Sequence, residues 1–206
     1  KMNKTPCSQQ NAATPDTLSS PDRREALRAS SALLLCAGIG IGKSAFADTA
    51  AHSRPKVGDQ LVRSDANGQP VPLRGAEILP DTKPLQAFPL EPTSGEVRNG
   101  TRLNKVILVR IAPADLTDET RPYAAAGVLA YSAVCTHQGC EVSEWVAKDK
   151  TLMCYCHFSK FSPGRAGEVV AGPAPRTLPL LPLKEEDGVL VVAGPFTSNP
   201  GVSKSA

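Results

Sequence analysis

An all-β fold is predicted by three observations. Proline and glycine are plentiful, at 19 and 16 residues, and aromatics make up 4% of the 206 residues. That composition favours short strands and loops over helices. Residues 105–111 (Lys105-Val106-Ile107-Leu108-Val109-Arg110-Ile111) form a continuous β-branched run, and residues 127–134 form a second. Turn signals at Asn67-Gly68, Pro80-Asp81, Asn99-Gly100 and Glu186-Asp187-Gly188 punctuate the chain.

Taken in order, residues 48–56 read as a flexible segment, with His52 alone and solvated. Residues 57–104 carry short pieces such as Gln60-Leu61-Val62 and Val71-Pro72-Leu73 among many prolines, and are expected to be edge strands and irregular loops. The runs at 105–111 and 127–134 read as buried strands. Thr151-Leu152-Met153 is a short strand, and Trp145 before it is expected to be a local core residue. Residues 180–184 and 189–193 are expected to pair as a hairpin, and residues 196–206 read as a polar tail.

The formal charge of +3 is not a property of the whole chain. Residues 1–47 hold six basic and three acidic residues, while residues 48–206 hold 17 of each. A body this close to neutral excludes a nucleic-acid-binding function. Within the basic leader, Arg23-Arg24-Glu25-Ala26-Leu27-Arg28 precedes an apolar run from 29 to 42, Lys43, and then Ala45-Phe46-Ala47 before Asp48. This resembles a twin-arginine export signal with an Ala-x-Ala cleavage site. The run of 14 residues is shorter than the ~20 that cross a bilayer. Residues 1–47 are therefore expected to be removed, together with Cys7 and Cys36, and the remainder to be a periplasmic protein exported already folded. Contact with the membrane is expected only if the leader is retained.

The chemistry is concentrated in residues 135–159. Cys135-Thr136-His137-Gln138-Gly139-Cys140 and Cys154-Tyr155-Cys156-His157-Phe158-Ser159 hold four cysteines and two of the three histidines. A set of two thiolates and two imidazoles can hold zinc, or a two-iron cluster with thiolates on one iron and imidazoles on the other. Structural zinc knuckles usually present two cysteines each and have no use for two further cysteines beside the ligands. Here each knuckle offers one cysteine and one histidine, so each iron would take one like ligand from each loop.

The pattern Cys-x-His-x-Gly-Cys followed by Cys-x-Cys-His-x-Ser resembles the Rieske [2Fe-2S] proteins. Gly172-Pro173-Ala174-Pro175, some 15 residues after the second knuckle, is similar to the proline loop that covers the cluster in that family. The resemblance implies one [2Fe-2S] cluster, with Cys135 and Cys154 on one iron and His137 and His157 on the other, and a Cys140–Cys156 disulfide joining the loops. It also implies a Rieske-type antiparallel base, about 57–134 and 168–195, carrying an inserted cluster-binding lobe, about 135–167. The Rieske domain is thus expected over 105–195, after an N-terminal extension at 48–104.

The disulfide cysteines and the proline loop, including Gly139, Gly172, Pro173 and Pro175, resemble the high-potential branch of the family. Ser159 matches the serine that bonds a bridging sulfide. The position of a potential-raising tyrosine is Phe161 here, and Tyr155, expected with Ser159 and Phe161 behind the ligands, stands where proline is usual. These departures imply a positive potential below that of the quinol-oxidising complexes. The Cys-His-Phe-Ser-x-Phe wording is similar to the small Rieske subunit of periplasmic arsenite oxidase, which implies a larger molybdopterin-type redox subunit as donor and a cytochrome or cupredoxin as acceptor. The alternative is a membrane-anchored Rieske subunit of a quinol-oxidising bc-type complex. A ring-hydroxylating oxygenase would need a further facial triad of two histidines and a carboxylate. Only His52 is left to supply it, so no substrate chemistry is expected.

Overall fold

A computed structural model describes residues 50–203. Its strands, in chain order, are β1 (Gln60–Ser64), β2 (Pro70–Pro72), β3 (Leu85–Glu91), β4 (Glu96–Val97), β5 (Val106–Arg110), β6 (Val128–Ser132), β7 (Glu144–Val146), β8 (Thr151–Cys154), β9 (Ser159–Ser162), β10 (Glu168–Ala171), β11 (Leu180–Leu181), β12 (Leu183–Glu186) and β13 (Val189–Val192). The larger sheet runs β11-β6-β5-β3-β1-β13-β12, with β2 paired to β1 and β4 to β3. The smaller runs β10-β9-β8-β7. Every strand pair is antiparallel, so the fold is the all-β class expected.

Strands β5 and β6 explain why their sequences are apolar without a break. Side chains alternate between the two faces of a strand. Ile107, Val109, Leu129 and Tyr131 belong to one core, together with Cys135, Leu152, Cys154, Phe161 and Leu178. Val106, Leu108, Val128 and Ala130 belong to a second, with Leu61, Leu73, Leu183 and Leu190. Both faces are covered, so polar residues stand only at the strand ends, Arg110 in β5 and Ser132 in β6. The first core is where the smaller sheet rests on the larger. The buried Tyr131 hydroxyl donates to Pro163 O at 2.6 Å across that boundary. Burial pushes the Tyr131 phenol upward, which keeps it a neutral donor.

Four expectations are corrected here. β1 and β3 are not edge strands: β1 lies between β3 and β13, and β3 between β1 and β5. Pro89 is tolerated inside β3 because its carbonyl accepts from Arg98 N, at 2.8 Å, on the β4 side. In a strand the nitrogen of a residue faces the same way as its carbonyl, so the missing donor faces the gap between the β5 pairing, which ends at Ala87, and the β4 pairing, which begins at Leu90.

The second correction concerns residues 50–56, expected to be flexible. They are pinned by Arg98, which is 1% exposed. Its Nε donates to Asp59 Oδ2 at 2.6 Å and its Nη2 to Asp59 Oδ1 at 3.1 Å and Glu91 Oε2 at 3.3 Å. Its Nη1 donates to the Ser53 hydroxyl and to Ala50 O. The hydrogen bonds to Asp59 raise the guanidinium above its already high ordinary value. His52 in this segment is exposed.

The third concerns the hairpin: β12 and β13 pair across Asp187-Gly188, but Leu180–Leu181 pairs with β6. The fourth concerns the base, since β10 belongs to the smaller sheet. Trp145 is half-buried against the first core. The leader at 1–47, with Cys7 and Cys36, lies outside the described residues.

Candidate metal centre

Strand β6 delivers the first hairpin tip. Ala133 N donates to Lys105 O at 3.0 Å and Val142 N to Ala133 O at 2.8 Å, which extends the ladder beyond the strand. Cys135 N then donates to Cys140 O at 2.8 Å, and Gly139 N to Cys135 O at 3.0 Å. The six residues 135–140 therefore form a closed turn. β8 and β9 deliver the second tip: Cys154 pairs with Ser159, and residues 155–158 cross between them. Phe158 takes φ +59° there.

A disulfide joins Cys140 to Cys156, with Cα atoms 6.4 Å apart. Cys135 and Cys154 remain free thiols, each 1% exposed. Cys154 Sγ lies within 4.8 Å of both disulfide sulfurs. Those two are oxidised to each other and offer no thiolate, so this trio is not a ligand set. Burial pushes the Cys135 thiol upward, opposed by the His137 backbone N–H and the Ser159 hydroxyl, and reinforced by the neighbouring Cys154. A thiolate is costly in such a place unless a metal carries its charge.

The imidazoles meet on the outer side. His137 and His157 have ring centroids 4.6 Å apart and planes at 88°. His157 is exposed and His137 half-buried. His137 Nδ1 is buried with no hydrogen-bond partner. An orphaned buried nitrogen calls for a ligand, and it stands next to a second imidazole and on the same two hairpin tips as two buried thiols. The residues present therefore fit a [2Fe-2S] cluster held by two sulfurs inside and two nitrogens outside.

The shell behind these residues is built by the proline loop. Ala174 N donates to the Ser159 hydroxyl at 3.2 Å. Gly172 has φ +84°, and a Cβ there would stand 2.5 Å from Ser159 Cα. The loop thus lies flat on the Ser159 backbone, which only glycine permits. Pro173 and Pro175 on either side of Ala174 are exposed. Phe161 is fully buried in the core that contains Cys135 and Cys154, opposite Leu152. Tyr155 departs from the expectation of a place behind the ligands. It is 59% exposed, edge-on to the equally exposed Phe158 at 6.5 Å.

Three supports were not expected. Arg102 Nη1 donates to Gly139 O at 2.7 Å. The Thr136 hydroxyl donates to Arg176 O at 2.8 Å. The Arg176 guanidinium in turn holds the C-terminal segment, donating to Asn199 O at 2.8 Å, the Ser203 hydroxyl at 3.0 Å, the Ser198 hydroxyl at 3.2 Å and Gly201 O. Residues 196–203 are therefore no loose tail. Phe196 packs on the second core, and Thr197 N donates to Leu180 O at 2.8 Å. A signal existed for Tyr131, the one aromatic in the runs at 105–111 and 127–134. None existed for arginines that bond to backbone carbonyls.

The family model of the Rieske [2Fe-2S] domain matches residues 94–182. A protein of Haloferax mediterranei named for a respiratory nitrate reductase Rieske subunit is 35% identical over 152 residues, covering 73% of this chain and 64% of the relative. The Rieske iron-sulfur subunit of the cytochrome bc1 complex of Corynebacterium glutamicum is 37% identical over 99 residues, covering 45% of this chain and 24% of the relative. The chain thus spans less than two thirds of either relative. Among solved structures, the soluble domain of Rieske protein II of Sulfolobus acidocaldarius is 25% identical, with a TM-score of 0.35, covering 49% of this chain and 68% of that one. Two hairpin tips carrying Cys/His pairs, the disulfide between them and the matched residues lead to one conclusion: residues 94–182 are a Rieske [2Fe-2S] domain, which binds one [2Fe-2S] cluster.

Proposed function

We propose that this protein is a one-electron relay of the periplasm, with Cys135 and Cys154 holding one iron and His137 and His157 the other. The bound cluster supplies reversible one-electron transfer. The observation that carries the reading is the division of the site: both thiols are 1% exposed, while His157 is exposed beside His137. Electron exchange with a partner is then easiest on the histidine side. The chain's own residues do the rest. The Cys140–Cys156 disulfide clasps the tips, Gly172 and Ala174 press the proline loop onto Ser159, and the Ser159 hydroxyl and His137 N–H face the Cys135 sulfur.

The donor is a larger redox subunit, of the molybdopterin type by the likeness to arsenite oxidase, and the acceptor a cytochrome or cupredoxin. A subunit role is supported by relatives named for subunits of a respiratory nitrate reductase and of cytochrome bc1 complexes. Export by the twin-arginine route is supported by Arg23-Arg24 and the apolar run that follows.

The second reading, a membrane-anchored quinol-oxidising subunit, is supported by the same bc1 relatives. Among the described residues no helix is long and apolar enough to cross a membrane. One experiment separates the two. The protein is purified from its native host, and its N-terminus and companions are identified. The relay reading expects a mature chain beginning at Asp48 and a large redox subunit alongside. A retained apolar run and a cytochrome b companion would replace it with the second.

Rieske centres in general span roughly −150 to +300 mV, a range not read from this chain. Phe161 offers no hydroxyl to the site, so a positive midpoint below that of the quinol-oxidising complexes is expected. A titrated value at the top of the family range would contradict this.

A further inference from the structure

Arg102 opens a 3-10 turn, Arg102–Asn104, directly before β5. The turn is fixed in place. Thr101 accepts from Leu103 N at 3.3 Å, and the buried Asn104 donates to Ser53 O at 2.7 Å and Arg98 O at 3.1 Å. From this anchorage the guanidinium reaches the first hairpin tip and donates to Gly139 O at 2.7 Å. Gly139 stands next to Cys140 and two residues beyond His137. Its φ is +76°, and a Cβ there would lie 2.9 Å from Arg102 Nη2, so glycine is what admits the guanidinium.

Arg102 has no neutralising partner among the described residues. Among the described residues it has no carboxylate within ion-pair distance, whereas Lys105, three residues on, lies 3.4 Å from Glu141. The residues 135–140 and 154–159 contain no Asp, Glu, Lys or Arg. A permanent cation is thus held by a rigid turn against an otherwise uncharged tip.

We propose that Arg102 is a positioning residue of the Rieske centre that also sets its midpoint: it fixes the first tip through Gly139 O, and its charge favours the reduced state. The inference rests on the Rieske reading of the site. Reduction adds one electron, and a fixed positive charge nearby lowers the free energy of the more negative state. Arg102 is exposed, so solvent weakens the effect.

The test is a redox titration of the full, cluster-loaded protein, followed by electron paramagnetic resonance, for the wild type and for Arg102→Gln, Arg102→Lys and Arg102→Glu. Arg102→Gln should accept an electron about threefold to tenfold less favourably, a fall of about 28 to 59 mV by the one-electron constant. Arg102→Lys, which keeps the charge, should stay near the wild type, and Arg102→Glu should fall below Arg102→Gln. A wild-type midpoint in Arg102→Gln overturns the proposal. So does an Arg102→Lys midpoint as low as that of Arg102→Gln, or an Arg102→Gln protein that holds no cluster, since each makes Arg102 a brace and nothing more. If the wild type itself gives no iron signal, the Rieske reading falls with it. An iron signal with an unmoved midpoint sinks the Arg102 assignment alone.

Discussion

The Thr136 hydroxyl donates to the carbonyl of Arg176 at 2.8 Å. Thr136 is fully buried between Cys135 and His137, and the Arg176 side chain grips residues 198–203. One residue therefore links the C-terminal segment to the first hairpin tip. Arg176→Ala should release that segment and lower the unfolding free energy by about 1–3 kcal/mol. It should also speed loss of the visible iron-sulfur absorbance. Hydrogen exchange at residues 197–203 checks the first half of the claim: unchanged protection would mean that other contacts hold the segment.

The Arg98–Asp59 pair is the most enclosed ion pair described, with side chains 1% and 3% exposed. Asp59→Ala should leave the guanidinium without its main partner and destabilise the fold by about 3–5 kcal/mol, because an uncompensated buried charge remains. Urea denaturation measures this. A loss under about 1 kcal/mol would show that Glu91 and the Ser53 hydroxyl suffice.

Phe161→Tyr places a phenol in the core that holds Cys135 and Cys154. If the new hydroxyl donates to a cysteine sulfur, it disperses charge on the reduced centre, and the midpoint should rise. Titration of the variant, with a crystal structure to locate the hydroxyl, is the check. An unmoved midpoint with the bond seen to form would count against hydrogen bonding as the lever that separates this chain from the higher-potential proteins.

The Cys140–Cys156 bridge closes a loop with a sequence separation of 16. Replacing both cysteines by serine should cost about 3 kcal/mol of stability on the loop-entropy estimate. The tips would also be free to part, so iron should dissociate faster. Equal iron retention in the double variant would show that the two ladders hold the tips without the clasp.

How much of this was legible follows from the range of each signal. The four candidate ligands lie within 25 residues, so Cys135, His137, Cys154 and His157 could be singled out together as candidates. β5 and β6 could be read because burial on both faces confines polar residues to the strand ends, Arg110 and Ser132. β1 and β3 were misjudged because the many prolines of 57–104 read as marks of edge strands, whereas β1 itself has none and Pro89 in β3 falls where β4 and β5 leave a gap. The pinned segment at 50–59, the C-terminal brace and the Arg102 contact rest on arginines bonding to partners between 7 and 48 residues away. Such bonds carry no periodicity, and their acceptors are often backbone carbonyls, which every sequence supplies. Tyr155 was placed by its neighbours in sequence, but a residue between two cysteines at a hairpin tip has solvent on one side.

The central claim is that two thiols and two imidazoles hold a pair of irons at the joined tips. The most direct measurement is the metal and sulfide content of purified protein, with electron paramagnetic resonance of the dithionite-reduced form. The account predicts iron and acid-labile sulfide in equal amounts, about two of each per chain, and a signal showing nitrogen ligation that disappears when His137 and His157 are replaced. Zinc at one per chain, or iron with a signal that survives loss of both histidines, would contradict it.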